Sequence, residues 1–204
     1  MSCDNSEYIT SVNINDRVPI GIVKDFEMIY TDSMKTRSLI KAPTHLDFSN
    51  HPINYFEFID GIFDACLYFQ DLGYKIIIIT NQSGISRGYY TENDYKKITQ
   101  WMLDQFKQKN INILDVFHCP HGPNSTCDCR KPNPGMFLEA KAKHNTDMTQ
   151  SWMIGDKEVD VIAANSAGID NTILVRSGHR IDESNSNAKI ILDSIQQAKQ
   201  IITE

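Results

Sequence analysis

No apolar run in this chain approaches the roughly 20 residues that a membrane-spanning helix needs, the isoleucine stretch at 76–79 included. Excess positive charge is also lacking. Against 20 Lys and Arg stand 26 Asp and Glu, a formal net charge of −6, so a broad nucleic-acid surface is not expected and any phosphate affinity must be local. Cysteine is scarce. Of five, three crowd between positions 119 and 129 while Cys3 and Cys66 stand alone, which argues against a disulfide framework. Internal repeats, low-complexity tracts and linkers are missing too, and 204 residues suit one well-packed domain better than two. The start, Met1 to Asn13, is polar and acidic rather than basic then apolar, so a cytoplasmic protein is expected. We therefore expect a single domain over 18–204, preceded by an arm at 1–17, and a monomer whose partner is a small molecule.

What is present is an alternation of helical and strand patterns. Ile20 to Val23 is a short apolar run that reads as a strand buried on both faces, and it delivers Lys24, Asp25, Phe26 and Glu27 to its C-terminal end. Residues 31–53, polar and irregular with Pro43 and Pro52, read as a flap or long loop. From Asp60 the alternation strengthens. Ile62, Phe63, Cys66, Leu67 and Phe69 mark an amphipathic helix stopped by Gly73, and Lys75 to Thr80 is a β-branched run fit for a central strand. Thr91 with Asp94 resembles a capping box for a helix whose inner stripe is Tyr95, Ile98, Met102 and Phe106. Further strands are expected at Leu114–Phe117, Trp152–Gly155 and Thr172–Val175. Helices are expected from Pro134 through Phe137, Leu138 and Ala142, around Val159, Ile162 and Ala163 up to Gly168, and at the C-terminus through Ile190, Ile191, Ile195, Ala198 and Ile202. Repeated strand, helix, strand with buried strands implies right-handed crossovers and a three-layer α/β sheet of parallel strands, whose ligands bind beyond the carboxyl ends.

The polar residues collect at those ends. Cys119-x-His121 and Cys127-x-Cys129 flank a short loop rich in Gly, Pro, Asn and Ser, and three thiolates with one imidazole make up the ligand set of a closed, structural Zn2+ site. The plainer alternative is scattered thiols. Arg130 and Lys131 follow at once, fixed cations suited to phosphate oxygens, with Pro132 and Pro134 to stiffen the arm. Thr80, Asn81, Gln82 and Ser83 end the isoleucine strand with hydroxyl, amide and backbone donors, either a phosphate cradle or an ordinary turn. Asp156 ends the Trp152 strand with Lys157 beside it and Asp160 one helical turn on. It suits a Mg2+ ligand and equally a helix cap.

Four ordered motifs between residues 56 and 178 carry a resemblance. Asn81-Gln-Ser-Gly-Ile-Ser-Arg-Gly88, the two metal-ligand pairs, Cys129-Arg-Lys-Pro-Asn-Pro-Gly-Met136 and Trp152-Met-Ile-Gly-Asp-Lys157 resemble the haloacid dehalogenase superfamily. More narrowly they are similar to its zinc-loop branch, which holds heptose bisphosphate and histidinol-phosphate phosphatases, with Gln82, Ser83, Gly84, Arg87 and Gly88 and the Pro134-Gly-Met136 turn nearer the heptose side. The resemblance implies a Rossmann-like sheet without a large cap domain, and hydrolysis of a phosphorylated sugar through an aspartyl-phosphate. It further implies that Thr80 and Lys131 hold the phosphoryl group, Asp156 binds Mg2+, and Arg130 contacts the rest of the substrate, with Asn81, Gln82, Ser83, Arg87 and Lys157 as further substrate-side residues.

The first motif departs from the family's Asp-x-Asp-Gly-Thr/Val. An ungapped count from Ile20–Val23 sets Lys24 and Phe26 on the two aspartates, which predicts a dead enzyme that binds a phosphosugar or a partner protein. A shift of one residue gives Asp25-x-Glu27, keeping a nucleophile, also a Mg2+ ligand, and an acid at the needed separation. A third register uses Asp32 and puts Met34 where the acid belongs. Asp25 and Glu27 are preferred, because the chemistry needs a carboxylate directly after an apolar strand.

Overall fold

The computed structural model describes the backbone at residues 20–21 and the chain from 58 to 203. The expected arm at 1–17, the flap at 31–53, and Lys24, Asp25, Phe26, Glu27, Asp32 and Met34 lie outside the described residues. Six parallel strands form one sheet: β1 (Ile20–Gly21), β2 (Ile76–Asn81), β3 (Ile113–Cys119), β4 (Trp152–Gly155), β5 (Asn171–Val175) and β6 (Ile190–Leu192), in the order β3-β2-β1-β4-β5-β6. Ile20 aligns with Ile77 on one side and Met153 on the other, so β1 is central. The chain winds outward from β1 to β3, then crosses to β4 and winds the other way. In sheets of this class ligands bind where the strand order reverses, beyond the carboxyl ends of the strands.

Strand β2 shows why the sheet is buried on both faces. Side chains alternate along a strand, so Ile76 and Ile78 enter one core while Ile77 and Ile79 enter the other. The first core packs α1 (Ile62–Asp71) and α3 (Glu92–Gln108) through Phe69, Ile98, Met102 and Phe106. The second packs α4 (Gly135–His144) and α5 (Glu158–Ser166) through Phe137, Ala140, Val161 and Ala164. Three layers result, as the alternation predicts. Among the described residues, no helix is long and apolar enough to cross a membrane.

Local signals are mostly obeyed. Asp94 N–H donates to Thr91 Oγ1 and Thr91 N–H to the Asp94 carboxylate, completing the capping box, and Tyr95, Ile98, Met102 and Phe106 are the buried stripe of α3. Gly73 follows α1 at φ +86°, a conformation that costs other residues strain. Three readings need correction. The C-terminal helix over 190–202 is a strand, β6, followed by a 3-10 turn at Ile195–Gln200. β5 would otherwise expose an open edge, and pairing of Ile173, Leu174 and Val175 with Ile190, Ile191 and Leu192 satisfies it. Pro134 precedes α4 as its N-cap instead of opening it, and Leu138 and Ala142 point outward. Ile162 is likewise exposed on α5, whose inner face is Asp160, Val161, Ala163 and Ala164. A helix of small residues packs its alanines against the sheet, and the isoleucine that dominates its hydrophobicity is not on that face.

Candidate active site and metal-binding loop

The loop between β3 and α4 carries the ligand-type residues. Cys119 ends β3, and the Sγ atoms of Cys119, Cys127 and Cys129 and the Nδ1 of His121 all lie within 4.8 Å of one another. Cys119 Sγ stands 3.7 Å from Cys127 Sγ and 3.0 Å from Cys129 Sγ, and His121 Nδ1 lies 3.5 and 3.3 Å from Cys119 and Cys129. A tetrahedral Zn2+ with S ligands at about 2.3 Å spaces them about 3.8 Å apart, so donor set and spacing fit a metal of that kind. Burial works to raise all three thiols. At Cys127 it is outweighed by donation from the Ser125 hydroxyl, the Cys129 thiol and the Arg130 N–H, which bring that thiol down to about 6. At Cys119 burial prevails, and at Cys129 it is joined by bonds to the other two sulfurs, so both thiols are pushed up. A cation bound there would take all three as thiolates, so metal binding would release protons. Cys66 is different, its thiol pushed up to about 12 by burial inside the core, and it is inert.

The loop is tied down on both sides. Asn133 Nδ2 donates to Cys127 O at 2.8 Å, and Gly135 N–H to Asp128 O at 3.0 Å. A Cβ at Gly135 would sit 2.3 Å from Asp128 O, so glycine is required by contact alone. Towards β2, Gln82 N–H donates to Cys119 O and Ser86 N–H to Pro120 O. Arg130 spends one N–H on His121 O at 3.0 Å, closing the loop on itself.

One residue past Arg130 the chain plunges inward. Asn81 Nδ2 donates to Lys131 O and Lys131 N–H donates to Asn81 Oδ1, both at 3.1 Å, a two-point clasp between the end of β2 and the loop. Lys131 Nζ then donates to Ile79 O at 3.0 Å and pairs with Asp160 Oδ1 at 2.7 Å, the side chains only 5% and 9% exposed. Burying a lone ammonium is costly, and the carbonyl and carboxylate offset it. Asp160 Oδ2 in turn accepts from Lys157 N–H, so the N-terminus of α5 is capped by Asp160 and Asp156 is left for another task. The side chain of Asp156 is 3% exposed. Its Oδ2 accepts from His179 Nδ1 at 2.7 Å, while Oδ1 is buried with no hydrogen-bond partner among the described residues. A carboxylate oxygen in that state suits a hard cation, so Asp156 fits a Mg2+ ligand.

Around this line the other expected residues fall unevenly. Thr80 is buried and accepts from Gln82 Nε2 at 3.0 Å, and Gln82 Oε1 accepts from Tyr90 at 2.7 Å. Ser83, buried, opens the single-turn helix α2 (Ser83–Ser86). Arg87 is exposed over the ring of Tyr89. Lys157 joins the line through its backbone. The sequence reading noted Asp160 without a role and passed over Gly178, His179 and Tyr90. Arg176-Ser177-Gly178-His179-Arg180 follows β5 directly, so the rule that ligands sit at carboxyl ends was the signal available.

The comparisons with known proteins agree with this architecture. Residues 128–198 match the family model described as HAD-hydrolase-like. The chain is 43% identical over 145 residues to a D-glycero-alpha-D-manno-heptose-1,7-bisphosphate 7-phosphatase of Photorhabdus laumondii, covering 68% of this chain and 79% of that one. It is 42% identical over 154 residues to a D-glycero-beta-D-manno-heptose-1,7-bisphosphate 7-phosphatase of Vibrio cholerae, covering 72% and 83%. A solved D,D-heptose 1,7-bisphosphate phosphatase from B. bronchiseptica, complexed with magnesium and phosphate, superposes with a TM-score of 0.64 at 25% identity, covering 74% of this chain and 85% of that one. With relatives this similar over most of their length, and the same sheet, the chain belongs to the haloacid dehalogenase-like hydrolases.

Proposed function

We propose that the protein is a Mg2+-dependent phosphatase that removes the 7-phosphate of D-glycero-D-manno-heptose 1,7-bisphosphate. The observation that carries the reading is the buried Asp156, whose Oδ1 has no hydrogen-bond partner among the described residues, one helical turn from the Lys131–Asp160 pair that Asn81 clasps to the end of β2. The names of the relatives supply the substrate, and relatives for both anomers match comparably, so both anomers belong in the test. We take the protein to be a cytoplasmic monomer.

In this reading Asp25 attacks phosphorus, forming an O–P bond as the bond to the sugar oxygen breaks, and Glu27 gives its proton to that leaving oxygen. Glu27 then accepts a proton from the water that attacks the aspartyl-phosphate, releasing phosphate and restoring Asp25. Thr80 and Lys131 hold the phosphoryl oxygens. Asp156 and Asp25 would hold Mg2+, which when bound neutralises charge on the transferring group. Arg130 on the loop, with Asn81, Gln82, Ser83, Arg87 and Lys157, faces the remainder of the sugar phosphate. The Cys119, His121, Cys127 and Cys129 site would hold Zn2+ as a structural clamp that keeps Arg130 and Lys131 in place. A second reading is a non-catalytic binder of the same ligand, favoured by the absence of an Asp-x-Asp-Gly motif after β1.

Phosphate release from both heptose bisphosphate anomers with Mg2+ tests the reading. Turnover that falls at least about a thousandfold in Asp25→Asn and in Asp156→Asn supports it. Loss in Asp32→Asn with Asp25→Asn active moves the nucleophile. Thermal stabilisation by the sugar bisphosphate without turnover favours the binder.

A further inference from the structure

The connection between β5 and β6 reaches the Asp156 carboxylate with two consecutive residues, Gly178 and His179. His179 Nδ1 lies 2.7 Å from Asp156 Oδ2, and since a carboxylate accepts, Nδ1 carries the proton and donates. Gly178 is pressed against the same group, for a Cβ there would stand 2.0 Å from Oδ2. The imidazole itself is 43% exposed, so burial of the ring does not explain its place.

The segment is built to hold still. At its root Arg176 donates in two parallel bonds to Glu183, at 2.7 and 2.8 Å, and a third to Asp193, just past the end of β6, at 2.8 Å. Farther on, Ser186 and Asn187 donate to the carboxylate of Glu158, at 2.7 to 2.9 Å. Glu158 lies only two residues after Asp156. The loop that carries His179 is thus bonded to the Asp156 side of the sheet at two places, through Asp156 itself and through Glu158.

We propose that His179 is a positioning residue for the metal ligand: by donating to Oδ2 it fixes the carboxylate plane and leaves Oδ1 alone turned to the cation. A carboxylate with both oxygens loose would rotate about its terminal torsion and could offer two oxygens, one or none. Outer partners of this kind commonly contribute 10- to 100-fold in metal affinity. The inference rests on the proposal that Asp156 binds Mg2+.

The test is a Mg2+ titration of the full chain without substrate, read as the rise in thermal midpoint, with the EDTA-treated midpoint as the measure of folding. His179→Ala should need about 10- to 100-fold more Mg2+ for the same stabilisation, with the EDTA midpoint unchanged. His179→Asn sets an N–H two bonds from Cβ, where Nδ1 was, and should recover most of the affinity. His179→Gln sets it one atom farther out and should not. Mg2+ affinity in His179→Ala within about twofold of the parent, Asn no better than Gln, or a lowered EDTA midpoint that accounts for the loss would each overturn the inference. A parent that Mg2+ does not stabilise, or whose stabilisation survives Asp156→Asn, would instead remove the metal role of Asp156, and this inference with it.

Discussion

A single buried cation shows how much one side chain carries here. Lys131 is tied to Asp160 at 2.7 Å with both side chains nearly out of water, so Lys131→Met leaves a carboxylate without its counter-charge. The expected loss is about 3–5 kcal/mol by urea unfolding, and adding Asp160→Asn should return part of it, because the two changes remove one shared interaction. Asp115 on β3 offers a gentler test. Partial burial acts to raise its pKa, but bonds from Lys143, His144 and the Val116 N–H prevail and hold it below the ordinary 3.8. A depressed folded pKa means stability that is complete above the unfolded value and lost as pH falls through the folded one. Asp115→Asn should therefore flatten the decline in unfolding free energy below about pH 4, measured as urea midpoint against pH. Lys131 could be read from the sequence as a cation beside ligand cysteines. Its partner could not, because Asp160 sits 29 positions away and only packing decides which of several nearby carboxylates meets it.

Among the elements, those with local causes were the legible ones. The Thr91–Asp94 box and the stripe of α3 follow from contacts three and four residues apart, and β2 follows from a run of β-branched side chains that no helix would favour. The stretch from 190 misled because isoleucines at 190, 191, 195 and 202 suit a helical period as well as a strand, and an open edge at β5 decides. The metal loop stands between these cases. Its ligand pairs are visible in sequence, whereas the Asn133, Gly135 and Gln82 bonds that anchor it are not. Elemental analysis should find about one zinc per chain and none in Cys129→Ala. If the loop positions Lys131 as proposed, that variant should also lose phosphatase activity while β2 and α3 stay folded by hydrogen exchange.

For the molecule as a whole, the sheet is the framework on which every expected role depends. Ile78 is fully buried against α1 and α3, and Ile78→Ala should cost about 2–5 kcal/mol by urea unfolding, with the spread set by how far those helices can close the cavity. Sequence alone determined the layers, the buried strands, the pairing of Cys119 and His121 with Cys127 and Cys129, and the carboxyl-end positions of Thr80 and Asp156, because each depends on chemistry within a few residues of itself. The tertiary structure alone decided the strand order, the edge pairing of β6, the clasp of Asn81 on Lys131 and the meeting of His179 with Asp156. These contacts join residues 17 to 133 positions apart. Such pairs form only once the sheet has brought its strand ends together, and no local pattern encodes them.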